Sequence, residues 1–517
     1  MRLDDWFLTD EERGNDATRL AAWSEHNLVR PLIHGATYFA DLAARVADLG
    51  HDDLLLFTDW RGDPDERLMP DGPEVAAALA RAAHQGALVR GLIWHSHLDA
   101  LRFSSAENRH LGECIEEAGG QAVLDTRVRV GGSHHQKFVV LRHSDDSSRD
   151  VAYVGGIDLC HSRRDDARHL GDPQVAPLPG VYGERPAWHD VQVAISGPAV
   201  AEVEKVFRER WEDPAPETRQ PFRRLRDRMQ GMADVPPLPA PAPPPPPAGT
   251  HAVQLLRTYP HLPRRGYPFA PQGERSVARA YRKVLAQASS LIYLEDQYLW
   301  SAEVIESFAT ALEREPELRM IVVVPRYPDE DGRLTSAACA IGRMAALARL
   351  RSAGGSRLAI YDLENHAGTP VYVHAKVCVV DDIWANVGSD NVNLRSWTYD
   401  SELSCAVIDA EPDPRSPSGA RKYARDLRLT LAAEHLDREY VDDLCEPKAV
   451  FEAFAESAAR LEAWHQRGRT GDRPPGRLRP HPEPKVGRLS KVMAGPLYHA
   501  VVDPDGRPRH LRRAKDF

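Results

Sequence analysis

Val373-His374-Ala375-Lys376-Val377-Cys378-Val379-Val380-Asp381, continued by Gly388-Ser389-Asp390-Asn391, decides the fold of this chain. Its spacing is His-x-Lys, four residues, Asp, six residues, Gly-Ser-x-Asn. On a strand, residues two apart project to one face, so His374 and Lys376 point together while Val377 and Val379 can face a core. An imidazole beside a fixed cation is what a phosphate diester requires. The chain then turns back through Asn386-Val387-Gly388-Ser389, where a hydroxyl and an amide can approach the same phosphoryl oxygens.

A partial second copy lies upstream. Ser133-His134-His135-Gln136-Lys137-Phe138-Val139-Val140 sets a second His-x-Lys on an apolar strand, and Val154-Gly155-Gly156-Ile157-Asp158-Leu159 supplies a second strand ending in two small residues. Six fixed letters at background frequency would occur in this length with probability on the order of 10⁻⁵.

With these residues in view, the chain resembles the phospholipase D superfamily. The second motif matches that family's His-x-Lys signature with its Asp and Gly-Ser-x-Asn. The first half resembles the eukaryotic-type branch in its His-His-Gln-Lys run, its Gly-Gly-x-Asp-Leu turn and its Trp188-His189-Asp190 segment; Glu295-Asp296-Gln297-Tyr298 and Asp400-Ser401-Glu402 are further landmarks. The resemblance spans roughly residues 50 to 440. It implies a ping-pong phosphodiesterase with a covalent phosphohistidine, His135 as nucleophile and His374 as acid/base. The sequence itself does not distinguish the two roles.

Each histidine needs an orienting acceptor. Asp190 fits His135 by position, and Glu402 holds the matching place for His374. Lys137, Lys376, Ser389 and Asn391 are expected to bind phosphate, with Asn393 and Gly156 as further candidates. Asp381 and Asp158 are expected to serve structure. Two departures stand out. Arg142 occupies the first-half position corresponding to Asp381, with Asp145, Asp146 and Asp150 off register, and Asp158 stands where the other half has Asn391.

The strand–helix pattern predicts an α/β fold of two homologous α/β/α sandwich halves. Their mixed sheets are related by pseudo-twofold symmetry, with the active site between them. Strands are expected at Leu54 to Thr58, Ala87 to Trp94, Gln121 to Asp125, Leu291 to Leu294, Met320 to Val324, Arg357 to Tyr361 and Ser404 to Ile408. Residues 1 to 50 read as mostly helical, with Tyr38, Leu42, Val46 and Leu49 at helical spacing. The division is 1–232 for the first half, 233–250 for a Pro-rich spacer, 251–465 for the second half and 466–517 for a basic Pro- and Arg-rich tail. That tail holds 13 Lys or Arg against 5 Asp or Glu, within a chain of 517 residues and net charge −10. It suits either anionic headgroups or the acidic body. The polar stretch between Leu159 and Ala187 is expected to border the site or to form a solvated loop.

The acidic balance argues against nucleic acid, and no apolar run reaches membrane-spanning length. The N-terminus lacks a signal core. A cytoplasmic protein is expected, as a monomer, since one chain carries both motifs, and the resemblance implies peripheral work at a membrane surface on phospholipid. No cofactor and no metal are expected: the six cysteines are scattered, and His95-Ser96-His97 lacks a third ligand. The alternatives are a cardiolipin-synthase-like phosphatidyltransferase, a nuclease or other non-lipid phosphodiesterase, and a non-catalytic binding protein.

Overall fold

A computed structural model describes residues 1–96, 105–213, 237–263, 266–329, 333–415, 419–483 and 494–517. His97 and the 232/233 division lie outside the described residues. Eighteen strands are defined among them. In the first half these are β1 (Ser24–Ile33), β2 (Leu54–Asp59), β3 (Leu88–Trp94), β4 (Gln121–Asp125), β5 (Phe138–Arg142), β6 (Val151–Gly155), β7 (Ala187–His189) and β8 (Val191–Ser196). In the second they are β9 (His251–Tyr259), β10 (Glu274–Arg275), β11 (Leu291–Glu295), β12 (Arg319–Val323), β13 (Leu358–Glu364), β14 (Pro370–Val373), β15 (Val377–Val380), β16 (Trp384–Gly388), β17 (Glu402–Asp409) and β18 (Leu478–Pro480).

The strand order is duplicated. One sheet runs β4-β3-β2-β5-β6-β8-β1, and the other contains β13-β12-β11-β15-β16-β17-β9 in the same relative order. In each, the three strands at one end are parallel and the rest antiparallel, as crossover helices and hairpins respectively dictate. Helices Gly35–Ala47, Val75–His84 and Ser105–Glu117 cover the outer face of the first sheet. Ser276–Leu285, Ala302–Arg314 and Arg333–Gly354 cover that of the second. The inner faces share one apolar core. Val140, Val154 and Val193 meet Phe207 and Trp211 there, continuous with Tyr293, Val373, Val379 and Val407 packed beneath Leu431 and Phe454. Each such side chain, fully removed from water, contributes ~1.5–3 kcal/mol.

Two crossings join the halves. β1 pairs with β8 of its own sheet and with β9 of the other, and β7 adds in parallel to β14, placing His189 opposite Val373. The expectation of a mostly helical first 50 residues is therefore corrected: Ser24–Ile33 is a strand, because it fills the seam between the sheets, and the helix begins at Gly35. The described part of the basic tail folds back on the body. β18 pairs with β13, Asp503 accepts the backbone N–H groups of Leu394 and Arg395, and Phe517 packs edge-on against Trp397.

Arg142 has a structural explanation. In the second half Asp381, in the turn after β15, accepts the N–H groups of Ser289, Ser290 and Leu291 at the head of β11. In the first half the carboxylate comes from the opposite side: Asp53, at the head of β2, accepts the N–H of Ser144 in the turn after β5. Arg142 is then free to turn away, where it pairs with Asp150 at 2.7 Å and with Glu204 and donates to the Pro243 carbonyl at 2.6 Å.

Candidate functional site

The two His-x-Lys segments lie just ahead of β5 and β15 rather than within them, which corrects the expectation that they sit on the strands. Their backbones pair across the seam instead. The His135 N–H donates to the Ser401 carbonyl at 2.9 Å, and Ser401 N–H donates to the Ser133 carbonyl at 3.0 Å. In the mirror arrangement, the N–H groups of His374 and Ala375 donate to the His189 carbonyl at 2.8 and 3.1 Å. Each motif is thus laid against the segment that carries the other half's carboxylate.

The carboxylates consequently serve the opposite histidines. His135 Nδ1 lies 2.9 and 3.1 Å from the two oxygens of Glu402, and His374 Nδ1 lies 2.6 Å from Asp190 Oδ2. This reverses the expected pairing of Asp190 with His135 and Glu402 with His374. The cause is the exchange of backbone partners across the seam. Both Nδ1 atoms are committed, which leaves both Nε2 atoms for chemistry.

Buried charge tunes the pairs. Burial, followed by the ammonium charges of Lys137 and Lys376, pushes His135 well below the usual imidazole range. Burial and Lys376 do the same to His374, with Asp190 opposing. Burial works upward on Asp190, but the His374 ring and Lys376 outweigh it and hold the carboxyl below its usual range. Burial and the charge of Asp400 push Glu402 upward, with Lys137 opposing. Burial lowers Lys376 to about 8. The site therefore rests with neutral imidazoles between two cations.

Other expected residues divide into two groups. Lys137 Nζ donates to the His135 carbonyl at 2.9 Å and lies 3.6 Å from Asp158, while Lys376 Nζ donates to the His374 carbonyl and, at 3.1 Å, to Gln297 Oε1. Asp158 accepts the N–H groups of Trp60 and Arg61, which compensates its charge. Asn391 is buried, and its carbonyl oxygen has no partner among the described residues. Ser389 and Asn393 are corrected. The Ser389 hydroxyl donates to Glu402 Oε2 at 2.6 Å, so it steadies the carboxylate, and Asn393 caps the helix Leu394–Thr398 by accepting the Ser396 N–H. Gly156 is where the backbone meets the Asp190 carboxylate; a Cβ there would overlap Oδ1. It makes room for the carboxylate rather than binding phosphate.

Sequence reasoning missed several neighbours. Gln136 donates to the Glu402 carbonyl at 3.0 Å, and Gln297 holds Lys376. Trp60 sits edge-on to His135 and Trp188 lies 5.0 Å from His374. Arg163 stacks 3.9 Å over Trp188, so the stretch after Leu159 borders the site. Gln136, Gln297 and Trp188 carried a local signal, standing inside quoted motifs.

Two family models match the chain: one described as phospholipase D over residues 112–307, the other as the cardiolipin synthase, PLD-like domain over residues 281–413. The chain belongs to the phospholipase D superfamily. This superfamily member is 24% identical to phospholipase D alpha 2 of Oryza sativa subsp. japonica, over 78% of this chain and 65% of that protein. It is likewise 24% identical to phospholipase D alpha 1 of Arabidopsis thaliana, over 80% and 66% respectively. The chain thus spans somewhat under two thirds of the length of these relatives. Its fold also matches the phosphatidylserine synthase of Haemophilus influenzae Rd KW20, at 13% identity and a TM-score of 0.51, covering 85% of this chain and 94% of that one.

Proposed function

We propose that this phospholipase D superfamily member is a phosphodiesterase that hydrolyses or transfers the phosphatidyl group of phospholipids through a covalent phosphohistidine. The observation that carries this reading is the crossed pair of carboxylate-held histidines flanked by two buried lysines. The neutral His135 Nε2 attacks phosphorus. His374 protonates the leaving alkoxide from Nε2, then takes the proton of the incoming water or alcohol. It rests neutral; the anionic substrate raises its proton affinity on binding, so that Nε2 takes up from solvent the proton it then gives to the alkoxide. Lys137, Lys376 and Asn391 neutralise and orient the phosphoryl oxygens as charge redistributes.

No helix among the described residues is long and apolar enough to cross a membrane. We place the protein peripherally on the cytoplasmic face, acting as a monomer because one chain supplies both motifs. Net transfer to a lipid alcohol, as in phosphatidyltransferases, uses the same intermediate with a different acceptor. The test is a product assay on mixed phospholipid vesicles with added ethanol, with His135→Ala and His374→Ala as controls. Phosphatidic acid and phosphatidylethanol, both lost in the variants, are expected; no turnover of any lipid rejects the lipid reading.

A further inference from the structure

Beside Asp190 lies a second cluster that the phosphodiester chemistry does not use. His34, His169, His189 and Glu434 each aim one ligand atom at a common point, and those atoms all lie within 4.8 Å of one another. Three come from the first half: His34 follows β1, His169 lies in the stretch after Leu159 and His189 ends β7. Glu434 stands on the helix Lys422–Leu436 of the second half.

Two of the imidazoles, His169 and His189, are held as metal ligands usually are, while His34 Nδ1 is buried with no hydrogen-bond partner among the described residues. His169 Nδ1 donates to the Trp188 carbonyl at 3.1 Å, which requires the proton on Nδ1 and turns Nε2 inward to 3.0 Å from Glu434. His189 Nε2 donates to Glu295 at 2.6 Å, and its Nδ1 turns inward to 3.5 Å from Glu434. His34 Nε2 lies 2.7 Å from the other Glu434 oxygen. Metal-bound histidines characteristically donate the second ring N–H to a carbonyl or carboxylate in this way. His189 is fully buried, and its Nδ1 has no hydrogen-bond partner among the described residues. A lone pair facing a carboxylate oxygen is repulsive unless a proton or a metal cation lies between them. Charge points the same way: Glu434 and Glu295 bring two negative charges into the protein interior, and a divalent cation balances both with all imidazoles neutral.

We propose that His34, His169, His189 and Glu434 bind one divalent transition-metal ion, with zinc the best fit. Three imidazole nitrogens and one carboxylate fill four positions, and tetrahedral ligands at ~2.0–2.2 Å from zinc lie about 3.3–3.6 Å apart, a spacing bracketed here by the 2.7, 3.0 and 3.5 Å from the imidazoles to Glu434 and the 4.8 Å within which all four ligand atoms fall. The ion fastens the two halves together. It also fixes the His189 backbone, whose carbonyl accepts the His374 N–H and whose neighbour Asp190 orients the His374 ring. The site thus positions the catalytic histidine without touching substrate. The proposal stands independently of what diester is cleaved.

The test is metal analysis of the purified full chain by plasma mass spectrometry after exhaustive desalting, with X-ray absorption at the metal edge. About one equivalent of zinc, in a shell of three nitrogens and one oxygen at ~2.0–2.2 Å, is the expected result. Glu434→Gln and His169→Gln should reduce the content to about a tenth or less, and Glu295→Gln should weaken retention against a chelator by ~10–100-fold. If the variants do not fold, the unaltered chain still decides: cobalt loading should give the intense visible bands of a tetrahedral ion. Less than a tenth of an equivalent of any transition metal in the folded native chain, including after incubation with zinc, overturns the proposal. Undiminished metal in folded Glu434→Gln and His169→Gln does the same.

Discussion

Replacing Asp190 by Asn removes the acceptor of the His374 Nδ1–H, not that of His135, because the carboxylates cross the seam. An amide that presents its N–H to Nδ1 favours the Nε2–H tautomer and, being uncharged, no longer stabilises the imidazolium that must give its proton to the leaving alkoxide. Acid–base assistance of this kind contributes ~10²–10⁴-fold, or about 2.7–5.5 kcal/mol of barrier. The loss should depend on the leaving group. A choline or ethanolamine alkoxide needs protonation, whereas p-nitrophenolate departs without it. Stopped-flow release of p-nitrophenol from a phosphatidyl p-nitrophenyl diester should therefore show a first turnover in Asp190→Asn within about tenfold of the unaltered protein, followed by a stall. The natural diester should lose the full factor. Glu402→Gln weakens the nucleophile and should lose comparably on both substrates. If the good leaving group rescues Glu402→Gln and leaves Asp190→Asn inactive, the crossed assignment is wrong.

Three further outcomes follow from the same geometry. Burial holds Lys376 near 8; its ammonium is present below that value and lost above it, so kcat/KM should fall about tenfold per pH unit above ~8, and a flat profile to pH 9.5 would contradict its role. Arg142→Ala leaves Asp150 in the interior without its cation, whereas Glu204 keeps Arg208, and should cost about 3 kcal/mol in denaturant unfolding, while the folded fraction keeps its specific activity; a selective loss of activity would place Arg142 in the site instead. Gly156→Ala drives a Cβ into Asp190 and should depress turnover on the natural diester more than on the p-nitrophenyl one, the pattern of Asp190→Asn rather than of a phosphate-binding residue.

The chemistry of this site was legible where it is local in sequence. His374 and Lys376, or His135 and Lys137, stand two residues apart, and the apolar strands Phe138–Arg142 and Val377–Val380 that follow each pair announce themselves by composition. Which carboxylate serves which histidine was not legible. It depends on backbone pairing between segments some 180 to 270 residues apart, with His374 on His189 and His135 on Ser401. Ser389 looked like a phosphate ligand because its motif neighbours are; its hydroxyl proves to be turned back to Glu402 by the antiparallel pairing of β16 with β17. The strand Ser24–Ile33 was missed because its partners lie on two different sheets and its polar residues hide any helical or alternating pattern. The His34, His169, His189 and Glu434 cluster left no spacing to read, since each residue arrives on a separate element.

The most direct test of the central claim is to find the covalent adduct. His374→Ala, incubated with a short-chain phosphatidyl p-nitrophenyl diester and quenched at alkaline pH, should accumulate a phosphatidyl group that peptide mass spectrometry maps to His135 and that acid releases. An adduct on any other residue, or none after a full burst of p-nitrophenol, would contradict the account.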